Sequence, residues 1–271
     1  MSAVLSPRWL VSGPPGTARL QLYCFAHGGG SAAEYLRWTR GLGQVRTHAV
    51  QLPGRGPRLA EPPLTSMRRL VEAFLAEVPP AEGPFAFFGH SLGALVSYEI
   101  TRALVAEGRP LPAHLVVSAH PAPHLPRRAG QVHRLPDDRL LDTVAGAHGG
   151  IPDEVLASPE LRGMAAAALR ADYQVLETYT WRPAAPLPVP VTVFGGEEDA
   201  VTSGELEAWR EHTTERATVR RFPGGHFYLR ERPAHVLRAL AAALGSTSAS
   251  GTSGVSGGAG ASGGADRSGP C

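Results

Sequence analysis

Gly89-His90-Ser91-Leu92-Gly93 fits the pattern G-x-S-x-G, which sets a serine hydroxyl on a turn tight enough to expose it as a nucleophile. The pattern also occurs at Gly254-Val255-Ser256-Gly257-Gly258 and at Gly260-Ala261-Ser262-Gly263-Gly264, both inside a Gly/Ser/Ala tail without apolar periodicity. Context separates them. Ser91 alone follows a short β-prone run, Phe85-Ala86-Phe87-Phe88, and precedes Leu92, Leu95, Val96 and Ile100 at helical spacing. The plain alternative for Ser91 is an N-cap of that helix. A serine hydroxyl attacks poorly until a base takes its proton. Of eleven histidines, His226 is the best placed base, because it follows a strand-like run ending in Pro-Gly-Gly and precedes the last helical run. Its plain alternative is a surface loop histidine. The acid that orients it should lie after the preceding strand, where Glu197, Glu198 and Asp199 stand. Asp199 is preferred as the deepest in the loop, against the plain reading of a turn or helix-cap residue. The order Ser, Asp, His is one that such triads take.

An acyl-transfer intermediate needs donors for its oxyanion. One is the backbone N–H after the nucleophile, that of Leu92. The other is expected from the loop "AHGGGS" (26–31), with Gly28 preferred and Gly29 the alternative. A simple glycine turn is the plain reading of this loop, and His27 reads better as a residue that orients it than as a further base.

These groups need a scaffold that carries each at the end of a strand. Strand-like runs recur at 20–27, 47–53, 85–90, 114–120, 189–196 and 218–225, with helix-like runs at 32–42, 66–78, 92–107, 204–214 and 232–244. Such alternation predicts an α/β fold, a mostly parallel sheet with helices on both faces. The central runs are apolar, as burial on both faces requires. Residues 134–182 read as helices with no strand between them. Ser158-Pro159-Glu160 is a helix start, and Gly146, Gly149, Gly150 and Pro152 suggest a joint. An insertion there is expected to cap the carboxyl edge of the sheet. The division expected is an N-terminal extension (1–17), one α/β domain (18–244) and a Gly/Ser-rich, disordered tail (245–271).

Composition narrows the classes. A net charge of +2 is too small to make nucleic acid or an anionic membrane the main partner. All 26 basic residues are Arg, which excludes Ser-Lys dyads and lysine Schiff-base chemistry. Two distant cysteines, Cys24 and Cys271, offer neither a disulfide framework nor a C-x-x-C metal site. The opening residues lack the look of a secretory signal, and no apolar run reaches membrane-spanning length, so a cytoplasmic protein is expected.

Together, "CFAHGGGSAAEYLRW", "VQLPGRGPRLAEPP", "FFGHSLGALVSYE", "LRADYQVLETY", "VFGGEEDAV" and "FPGGHFYL" resemble the type II thioesterases, discrete α/β-hydrolases that accompany polyketide synthases and nonribosomal peptide synthetases. The resemblance covers about residues 18–243. It implies an α/β-hydrolase fold with a mobile helical lid over a channel, Ser91 as nucleophile, His226 as base and Asp199 as acid. Gly28 stands where the family often has Ala and Leu92 where Met is usual, and both keep the backbone N–H. Ala26 replaces a usual Pro, and "SAHPAPH" (118–124) replaces a stretch that often carries Arg. The implied activity is hydrolysis of stalled acyl groups from the phosphopantetheine arm of an acyl or peptidyl carrier protein, without metal or diffusible cofactor. Carrier proteins are typically acidic, and Arg37, Arg40, Arg55, Arg58, Arg127 and Arg128 are candidates for complementary surface charge. A small-molecule carboxylesterase, which would use His27-Gly28-Gly29-Gly30 as its oxyanion run, and a non-catalytic binding protein on a hydrolase fold are the competing readings.

Overall fold

The structure is a computed structural model, and it describes residues 8–13, 18–126 and 130–245. Seven strands form one sheet: β1 (Leu10–Ser12), β2 (Leu20–Phe25), β3 (Val45–Val50), β4 (Phe85–His90), β5 (Leu115–Ser118), β6 (Val191–Gly196) and β7 (Ala217–Phe222). Their spatial order is β1-β3-β2-β4-β5-β6-β7. All pairings are parallel except that of β1, which runs antiparallel to β3 with Leu10 opposite Val50. β4, β5 and β6 are buried along their whole length, because helices cover both faces.

One face packs on α1 (Met67–Glu77) and α2 (Leu92–Ala106) through Leu70, Phe74, Leu95 and Ile100. The other packs on α8 (Pro233–Gly245) and on two 3₁₀ turns, Ala32–Tyr35 and Trp38–Gly41, through Tyr35, Trp38, Phe88 and Leu240. The run 32–42, expected as one helix, is therefore two tight turns. Tyr35 ends the first turn and Trp38 begins the second, and their rings meet edge to face at 4.9 Å. The run 204–214 likewise divides into α6 (Ser203–Glu207) and a 3₁₀ segment, Ala208–His212. The strand β1 lies in the stretch read as an N-terminal extension.

Between β5 and β6 the chain is helical, as expected: α3 (Asp137–His148), α4 (Asp153–Ala157) and α5 (Pro159–Thr178). The hydroxyl of Ser158 accepts the N–H of Leu161, and Pro159 takes the first helical position. These helices close a small core of their own around Leu140, Leu141, Val144, Ala166 and Leu169. A short helix, α7 (Tyr228–Glu231), follows β7. The Gly/Ser-rich tail lies outside the described residues, apart from Gly245, which ends α8. Among the described residues no helix is long and apolar enough to cross a membrane.

Candidate active site

Parallel strands bring their carboxyl ends to one edge, and every residue singled out for chemistry lies just past such an end. Ser91 follows β4 with φ 54° and ψ −116°. A non-glycine residue seldom adopts this backbone, so the turn stores strain where a side chain must be presented. Flanking glycines are required there. A Cβ on Gly93 would lie 2.1 Å from the carbonyl oxygen of Phe25, and one on Gly89 would lie 2.1 Å from that of Gly93. Ser91 occupies the N-cap position of α2, yet its side chain makes no capping bond. Leu92 is the first residue of α2, so its N–H lacks an intrahelical acceptor and sits at the positive end of the helix dipole.

His226 and Asp199 come together. Nδ1 of His226 lies 2.9 Å from Oδ2 of Asp199, with both side chains nearly excluded from solvent. Burial alone would raise the Asp199 pKa. The hydrogen bond and charge of His226, with backbone N–H groups of Val201 and Ala200, outweigh it and hold the carboxylate below its ordinary value. Ser91 and His226 line the same cavity of about 150 Å³, together with Gly28. Val144, His148, Leu169 and Tyr173 of the inserted helices close its other side.

The two candidate donors of the loop after β2 differ in their partners. The N–H of Gly29 donates to Oδ2 of Asp172 at 2.7 Å, so it is committed, and Gly28 lies beside it on the cavity wall. Asp172, on α5, is gripped by both terminal nitrogens of Arg55 at 2.6 and 2.7 Å. Arg55 is buried in this pair. Arg58 is buried against Glu61 and over the ring of Trp9. Neither is therefore available as surface charge. Arg37 and Arg40 are exposed, and Arg127 and Arg128 lie outside the described residues.

Other histidines crowd the site. The His27 ring packs on Gly30, where an added Cβ would meet it at 2.7 Å, and its Nε2 faces Arg230 at 3.3 Å. Burial, then the charges of Arg230, His226 and Arg55, push its pKa down to about 3, so it is a neutral spacer for the loop. His90 is fully buried and held neutral, chiefly by burial and then by His226, with Nδ1 on the hydroxyl of Ser118 at 2.8 Å. His148 ends α3 and lies against His226, ring centroids 4.4 Å apart and planes 34° apart. Its pKa is lowered by burial and by His226, with Asp199 opposing. Gly150 packs on the Phe227 ring, and its carbonyl accepts from Arg230 at 3.2 Å. Sequence reasoning passes over His148 and over the partnership of Arg55 with Asp172. The only local signal for the first is a histidine directly before the Gly149-Gly150 joint, and no local signal marks the second.

The model of the thioesterase domain family matches residues 20–244. Gramicidin S biosynthesis protein GrsT of Aneurinibacillus migulanus is 35% identical over 241 residues, 88% of this chain and 94% of that protein. Thioesterase PikA5 of Streptomyces venezuelae is 39% identical over 224 residues, 81% of this chain and 79% of that protein. Among solved structures, the type II thioesterase BorB from the borrelidin biosynthetic cluster superposes with a TM-score of 0.78 at 38% identity, over 89% of this chain and 99% of that one. A strained serine on a strand-to-helix elbow, a histidine–aspartate pair beside it and a match across nearly the whole sheet agree, and the chain belongs to the thioesterase family, a thioester hydrolase of α/β-hydrolase fold.

Proposed function

We propose that this protein is a type II thioesterase that removes acyl groups from the phosphopantetheine arm of acyl or peptidyl carrier proteins, acting in the cytoplasm beside a polyketide or nonribosomal peptide synthase. The observation that carries the reading is the convergence of Ser91, on its strained elbow, with the Asp199–His226 pair at one cavity wall. His226 takes the Ser91 proton as Oγ attacks the thioester carbonyl carbon. The N–H groups of Leu92 and Gly28 hold the oxyanion, Asp199 keeps the ring oriented, and the intermediate collapses with loss of the thiol, which takes the proton from His226. Water then attacks the acyl-serine, giving its proton to His226. Collapse releases the carboxylic acid and returns the proton to Ser91.

Two of the relatives named above, GrsT of gramicidin S biosynthesis and BorB of the borrelidin cluster, support the setting. The test is a panel of acyl-loaded carrier proteins with mass detection of the released chain, run beside short oxoesters. Carrier-bound thioesters should be the better substrates, and equal or faster turnover of the oxoesters would point to a small-molecule esterase. Ser91→Ala should lower turnover by at least about 10³-fold. Near-normal turnover in that variant rejects the mechanism.

A further inference from the structure

The glycine loop that carries Gly28 has one turn bond of its own, the Gly30 N–H on the carbonyl of His27 at 2.9 Å. Gly29 takes φ +77°, and no strand or helix includes residues 26–31. Other polar backbone atoms in and beside it are fastened from outside. Gly29 N–H donates to Asp172 at 2.7 Å, Gly30 C=O accepts from Arg55 at 3.2 Å, and Ala32 N–H donates to Oε1 of Gln51 at 3.1 Å. The amide of Gln51 in turn donates to the carbonyl of Arg55 at 3.2 Å. Asp172 is the hub. It is 2% exposed, and each carboxylate oxygen receives one Arg55 nitrogen.

We propose that Asp172, neutralised by Arg55, is a positioning residue for the oxyanion loop: it holds Gly29 N–H so that Gly28 N–H is left facing the reacting carbonyl. The inference rests on the proposed role of Gly28. Two physical arguments carry it. A buried ion pair is a weak source of stability, since apolar residues of similar volume often hold a fold as well, so stability alone does not account for this one. An oxyanion donor, by contrast, has its effect only when fixed before the reaction, and a glycine loop is the backbone least able to fix itself. The carboxylate is suited to the hydrogen bond, but its charge would repel an oxyanion nearby. The bidentate guanidinium removes that charge without using the bond to Gly29. Asp172 also registers the loop to the substrate cavity. On the same helix, Leu169 packs against Gly29 and Tyr173 lies next to Gly28, and both line the cavity.

The discriminating variant is Arg55→Met with Asp172→Leu, which replaces the pair by apolar residues and removes the acceptor of Gly29 N–H. Thermal unfolding should match the parent chain, KM for an acyl-loaded carrier should stay within about threefold, and kcat should fall on the order of 10²-fold, the size of a lost oxyanion donor. Fluorophosphonate labelling of Ser91, which uses the same donors, should slow in parallel. A folded double variant with parental kcat overturns the proposal. Should the double variant not fold, Arg55→Lys serves: the charge stays, the fork is lost, and kcat should drop about tenfold with little change in KM. Parental kcat in that variant likewise overturns the idea. A parent chain whose Ser91 resists the probe while Ser91→Ala remains active would instead defeat the underlying mechanism.

Discussion

At the residue scale, the environments of the proposed triad partners suit different tasks. Asp199 stays ionised because His226 and two backbone N–H groups outweigh its burial, and an ionised acceptor fixes which imidazole nitrogen carries the proton. Asp199→Asn keeps the shape but offers a group that can donate as well as accept. Steady-state turnover in that variant should fall by about 10⁴-fold with KM nearly unchanged. A loss below about tenfold would mean that another residue orients His226. The placement of Ser91, Asp199 and His226 past strand ends was readable in the sequence because each follows an apolar strand run and stands at a turn. Asp172 and Arg55 were not. They are 117 residues apart, and each looks alone like an ordinary surface charge. A pairing of that range leaves no local trace, so the surface role expected for Arg55 was wrong.

At the scale of elements, the alternation of runs disclosed six strands and the helices α1, α2 and α8 to within a few residues, since buried parallel strands and amphipathic helices write strong periods. β1 escaped because a three-residue edge strand has no period, and its partner β3 lies far along the chain. The 3₁₀ segments at 32–35, 38–41 and 208–212 escaped because period alone does not separate them from α-helix. The elbow itself shows how closely its elements approach. Gly93→Ala would drive a methyl group into backbone of β2, which cannot move aside as a flexible side chain could. We expect loss of soluble protein, or destabilisation of at least about 3 kcal/mol by urea unfolding. Parental stability in the Gly93→Ala variant would show that α2 can shift away from the sheet.

At the scale of the whole molecule, buried histidines make the fold sensitive to acid. Burial lowers His27 to about 3 and His48, His114 and His212 to about 4, and it holds His90 well below its ordinary value. Unfolded, each would titrate near about 6.5. Between these values the unfolded chain binds more protons than the folded one. Stability is thus fully present above about pH 6.5 and is lost as pH falls toward 4. Melting temperature against pH should drop steeply in that window, with uptake of more than one proton per molecule on unfolding. A flat profile from pH 7 to 5 would contradict the burial of these rings. The close, tilted contact of His148 with His226 has a different consequence. His148, the last residue of the inserted helix α3, covers one face of the His226 ring, so a displacement of that helix end would wet both imidazoles at once.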